Sequence, residues 1–126
     1  MPLTRISLRK GKAAAYKRSV MTEVYEAMRE TFDVPQDDRF MILTEHDEDA
    51  FWFARSYLGI ERSDDLIIIQ ITANNTRSTE QKKALYKRVA ERLAAAPGVR
   101  REDVFVSLVE VAKENWSFGG GEAQYA

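Results

Sequence analysis

The sequence specifies an α+β fold: two β-α-β units joined into one four-stranded mixed sheet, with both helices on one face. Two stretches carry apolar residues at helical spacing, and each is flanked by strand-like runs of apolar and β-branched residues. The pattern also repeats at an offset of 65 residues with no gap. Val34 falls on Val99, Asp38 on Asp103, Phe40 on Phe105, Leu43 on Leu108 and Glu45 on Glu110. Val20, Val24 and Met28 fall on Leu85, Val89 and Leu93, and Ile6 falls on Ile71.

The first strand opens at once, in Met1-Pro2-Leu3-Thr4-Arg5-Ile6-Ser7-Leu8, and Arg9-Lys10-Gly11-Lys12 is a polar turn. Tyr16, Val20, Val24, Ala27 and Met28 then mark an amphipathic helix through about Phe32. It stops before Pro35, which lacks an N–H and disfavours helical geometry in the residue before it. Arg39 to Glu45 alternates apolar residues on both faces, as expected of a largely covered strand. Residues 46–64 form a long connection with one or two short strands. Leu66 to Thr72 is nearly continuous in β-branched residues and reads as a central strand buried on both faces. Ser78-Thr79-Glu80-Gln81 fits a capping box opening the second helix, whose buried stripe is Leu85, Val89, Leu93 and Ala96 and which Pro97-Gly98 ends. Asp103 to Val111 is the fourth strand.

A chain of 126 residues fits one domain, residues 1–126, with repeat halves at about 1–64 and 65–126. Its 19 basic and 20 acidic residues give no charge excess that would call for nucleic acid or an acidic membrane. The absence of cysteine excludes disulfides, thiolate metal sites and cysteine nucleophiles, and fits a cytoplasmic location. Apolar runs such as Leu66 to Ile69 are far too short to cross a bilayer, and the N-terminus lacks the apolar core of a signal peptide. The sheet face away from the helices also carries apolar residues, and a second copy of the chain is the simplest cover for it.

The chemistry starts at Pro2. Removal of Met1, which a small second residue permits, leaves a secondary amine at the start of a strand. An α-amino group has a reference pKa of about 7.7–8.0, so this amine would exchange protons near neutrality. In the repeat Pro2 matches Ile67, while Arg77 follows the matching strand. If the first and third strands run antiparallel at the centre, Arg77 comes near Pro2, where a guanidinium can grip a substrate carboxylate. Asp38, at the turn into the second strand, is the next polar group. It serves equally well as a turn residue, because Asp103 occupies the equivalent place. His46 has no metal-ligand companions and is assigned a structural role.

Val34-Pro35 with Asp38-Arg39-Phe40, Arg62-Ser63-Asp64, Thr76-Arg77 before Gln81-Lys82, and Trp116-Ser117-Phe118-Gly119 with Ala123-Gln124-Tyr125 extend the pattern nearly end to end. With the N-terminal Pro and the two repeats, they resemble the tautomerase superfamily, and within it the malonate semialdehyde decarboxylase group. The resemblance implies a homotrimer with helices outside and no metal or organic cofactor. It makes Pro2 the catalytic amine, Arg77 the carboxylate anchor and Asp38 the group that positions water or tunes Pro2. Trp116 and Phe118 would line the pocket. Some members carry two arginines in the loop; here the earlier position holds Asn74 or Asn75, so polarising a carbonyl falls to an asparagine or a backbone N–H. The first helix lacks the His expected of the related dehalogenases.

The expected activity is keto-enol proton transfer on a small 2-oxo acid, with decarboxylation of malonate semialdehyde or a related 3-oxo acid as the alternative. A non-catalytic trimeric binding protein is the third reading. The only partners expected are the carboxylate-bearing substrate and further copies of the chain.

Overall fold

The computed structural model describes all 126 residues. Strand β1 (Leu3–Arg9) leads into helix α1 (Ala14–Phe32) and strand β2 (Met41–His46). A short hairpin, β3 (Ser56–Tyr57) and β4 (Ile60–Glu61), interrupts the long connection. The second unit is β5 (Ile67–Asn74), α2 (Thr79–Ala95) and β6 (Val104–Val111). The four long strands form one sheet in the order β2-β1-β5-β6.

The repeat is reproduced in the pairing register. Thr4 lies opposite Met41 in the parallel β1–β2 ladder, and its mates Ile69 and Val106 lie opposite each other in the parallel β5–β6 ladder. At the centre β1 and β5 are antiparallel, with Leu3 opposite Thr72. The start of β1 therefore lies beside the end of β5. Lys17 pairs with Glu45 at 2.8 Å, and their mates Lys82 and Glu110 pair at 2.7 Å.

Local chemistry accounts for the helix ends. Asp33, at φ 56°, takes the left-handed conformation that stops α1 ahead of Pro35. The capping box forms as expected: Gln81 N–H donates to Ser78 Oγ at 3.1 Å, and Ser78 N–H donates to Gln81 Oε1 at 3.0 Å. Both helices cover one face of the sheet, and Ile6, Ile69, Ile71, Val24, Phe32, Leu85 and Leu93 form the core between them.

The two helices are also joined by charge. Glu30 on α1 accepts from Arg88 and Arg92 of α2, and these guanidinium groups hold its carboxyl down at about 2, from an ordinary 4.5. A depressed carboxyl adds stability above its unfolded pKa and loses it as pH falls through the folded one. Thermal melts of Glu30→Gln between pH 4.5 and 2 should show a shallower loss of stability than the parent chain.

The other sheet face corrects the expectation that β5 is buried on both sides. Ile68 is half-buried and Gln70 exposed, because within one chain only the helices cover the sheet. For the same reason β2 is not a largely covered strand. Phe40 is 53% exposed, and Ile42, Phe105 and Val109 are also exposed.

The equivalence of Asp38 and Asp103 acquires physical content. Asp103 is wholly buried and accepts from Ser63 twice, from its N–H at 2.7 Å and its Oγ at 2.5 Å, fixing the chain just before β5. Asp103→Ala would strand these donors and remove one of the two carboxylates paired with Arg100. It should lower stability by about 3 kcal/mol, read as a reduced urea midpoint at unchanged slope.

Candidate active site

The same topological position in the first unit is occupied by Asp38. Because the chain begins beside β1, Asp38 faces the N-terminal amine instead of a passing backbone amide. Its Oδ2 lies 3.7 Å from Met1 N, and its Oδ1 is buried without a hydrogen-bond partner. The Asp38 side chain is only 11% exposed, and Pro2 is buried. A carboxylate with a free buried lone pair beside an amine can hold that amine's ammonium form or accept from a water or hydroxyl.

A cavity of about 220 Å³ opens over this point, lined by Met1, Pro2, Leu3, Phe40, Trp116, Ser117 and Phe118. Most of its wall is apolar, so charged groups at its edge interact more strongly than they would in open water. Trp116 and Phe118, both read from the sequence as pocket residues, stack with ring centroids 5.4 Å apart.

Asn74 lies at the end of β5 and is 7% exposed. Trp116 Nε1–H donates to its Oδ1 at 2.7 Å. This bond fixes the amide orientation and leaves both Nδ2 hydrogens for another acceptor.

Arg77 lies in the loop between β5 and α2, at the same end of the sheet as Pro2, as the antiparallel β1–β5 pairing requires. Its guanidinium is engaged at the end of α1: Nη2 donates to Phe32 O at 2.8 Å, and the group sits 4.9 Å from the Phe32 ring centroid. One of five N–H donors is thus used, and the others remain for a ligand. The structure brings Pro2, Asp38, Trp116 and Phe118 together directly, with Asn74 attached through Trp116. Arg77 joins them only at the level of the sheet end.

Phe40 in the wall and Tyr125, packed against Phe118, were not assigned to the site from the sequence. Phe40 lines the cavity because it lies on the open sheet face beside the start of β1. Tyr125 packs edge-on against Phe118 at 4.8 Å, held there by Gln124, which accepts from Phe118 N–H at 2.9 Å and donates to Gly119 O at 2.8 Å. The signal for Tyr125 was present in the Ala123-Gln124-Tyr125 motif.

A family model described as "Tautomerase enzyme" matches residues 38–119, and a second with the same description matches residues 2–59. The probable tautomerase YusQ of Bacillus subtilis (strain 168) is 40% identical over 124 residues, covering 98% of each chain. A malonate semialdehyde decarboxylase, solved to explain its decarboxylase and hydratase activities, superposes with a TM-score of 0.91 at 31% identity, over 98% of this chain and 95% of that one. Another malonate semialdehyde decarboxylase, crystallised inhibited by 3-bromopropiolate, gives 0.90 at 36% identity over 98% and 93%. The duplicated β-α-β plan, the acid facing the chain start and these end-to-end likenesses agree: the chain belongs to the tautomerase family.

Proposed function

We propose that the chain, once Met1 is removed, catalyses keto-enol proton transfer on a small 2-oxo acid with the Pro2 amine as acid and base. The observation that carries this reading is the Asp38 carboxylate, nearly buried and with Oδ1 unpartnered, 3.7 Å from the Met1 amine, where Met1 and Pro2 line a mainly apolar cavity. Neutral Pro2 takes the enol O–H proton, and the charge left on the enolate spreads over oxygen and the adjacent carbon. The Pro2 ammonium then returns the proton to that carbon, giving the ketone. Arg77 holds the carboxylate, the free Asn74 N–H groups face the enolate oxygen, and Asp38 stabilises the transient ammonium. Trp116 and Phe118 exclude water from the cavity.

Decarboxylation of malonate semialdehyde is the second reading, favoured by the likeness to two decarboxylases of that substrate at 31% and 36% identity. There the Pro2 ammonium polarises the 3-oxo group, or neutral Pro2 forms an iminium, while Arg77 turns the carboxylate so that carbon dioxide can leave. Both readings set three copies around an axis with the bare sheet faces inward. No helix is long and apolar enough to cross a membrane.

A paired assay separates them: ultraviolet absorbance for ketonisation of phenylenolpyruvate, and a coupled assay for acetaldehyde from malonate semialdehyde. Intact mass should show Met1 absent from the active form. A chain that retains Met1 and is fully active in either assay would rule out the Pro2 amine, whereas one that is inactive in both with Met1 removed would leave the fold as a binding scaffold.

A further inference from the structure

At the opposite end of the sheet the repeat builds a second copy of the site. Ile67 stands where Pro2 stands in the first, Asp103 where Asp38 stands, and Phe105 where Phe40 stands. The offset continues past the strands. Phe51 and Phe53 match Trp116 and Phe118, and their rings also contact one another, 5.6 Å apart against 5.4 Å. Arg9 matches Asn74 and Lys12 matches Arg77. A cavity of about 380 Å³ at this end takes in the mates of Asn74 and Arg77, with Glu48, Asp64 and Asp65 also in its lining, while Phe53, Leu66, Ile68 and Phe105, mates of the first cavity's wall, line a separate one of about 100 Å³.

The two ends differ in what lies ahead of the strand. The residue ahead of Pro2 is Met1, whereas ahead of Ile67 the chain runs back through Leu66, Asp65, Asp64 and Ser63. Asp65 puts its carboxylate on Lys12, the mate of Arg77, at 2.7 Å. Asp64 puts its own on Arg9, the mate of Asn74, at 2.9 Å. Ser63 is fixed by Asp103, so this segment is held in place from behind. At each of these two anchor positions the second site already holds a carboxylate, supplied by the protein itself.

We propose that this cavity is a second site for small monocarboxylates, its anchor Lys12 kept occupied by Asp65 acting as a tethered ligand. The assignment rests on reading Arg77 as a carboxylate anchor, since Lys12 takes its place in the repeat. A tethered carboxylate acts at an effective concentration in the millimolar range or above, so a free acid at lower concentration does not displace it. Asp65 is 55% exposed and makes no other ion pair, so its removal frees Lys12 and leaves the Asp103 clamp intact. In this reading the first anchor is free for a ligand, and the second is occupied by the segment joining the halves.

The test is a titration of the ¹⁵N-labelled full chain with pyruvate, followed at two sets of amides. Those of Asn75 to Arg77 report the first site and those of Lys10 to Lys12 the second. In the parent chain only the first set should move at low concentration. In Asp65→Ala the second set should move as well, with affinity at least about tenfold tighter than in the parent. Adding Lys12→Met to that variant should abolish the new response. The proposal is overturned if Lys10 to Lys12 stay still in Asp65→Ala, or if they respond equally in the parent. Should Asn75 to Arg77 fail to move in either protein, the anchoring role of Arg77 falls, while the second set still decides the second site. Asp65→Asn, which keeps the side-chain volume, provides the same readout if the alanine variant does not fold.

Discussion

Replacing Pro2 by Ala, in protein lacking Met1, lowers kcat/KM for the active substrate by about 10²–10⁴-fold, the range of a positioned general acid or base. The variant keeps an amine, but a primary one with no ring to hold the nitrogen in one orientation toward the cavity. The loss should fall on kcat and leave KM within a few-fold, because the carboxylate contact lies elsewhere. A Pro2→Ala enzyme with undiminished kcat would remove the amine from the mechanism.

Arg77→Ala has the second largest expected effect. Truncating one partner of a charge-assisted contact costs about 3–4 kcal/mol, or roughly 10²–10³-fold in kcat/KM, carried mainly by KM. The same substitution also strips the donor from Phe32 O, so a structural contribution has to be separated from a binding one. A methyl ester of the substrate does this, because it presents no carboxylate. The acid should lose activity between parent and variant while the ester is turned over alike by both. Equal losses on acid and ester would mean that Arg77 acts by holding the end of α1. Arg77→Lys should recover part of the loss, since the charge returns without the planar fork.

Much of this arrangement was legible in the sequence because duplication writes long-range information in a local form. Ile6 falling on Ile71 and Val24 on Val89 fixed both units and the helical face of the sheet. The capping box at Ser78 and the stop before Pro35 needed only neighbouring residues. Contacts between side chains far apart in sequence were not legible. Nothing in periodicity says that Trp116 donates to Asn74, that Arg77 turns to the Phe32 carbonyl, or that Asp103 holds Ser63. The match of Phe51 and Phe53 to Trp116 and Phe118 was available all along from extending the same offset beyond the strands. The bare face of β5 was misread because Ile68 continues the β-branched run onto it, while Gln70 and Thr72, the next residues of that face, are polar.

That bare face has a consequence for how the protein melts. Phe40, Ile42, Phe105 and Val109 lie on it in water when the chain is alone. If copies associate through it, unfolding is coupled to dissociation, and mass action makes the apparent melting temperature a function of protein concentration. Diluting the sample would lower the transition even though no bond within the chain has changed. A single melting temperature would then describe a concentration as much as a sequence.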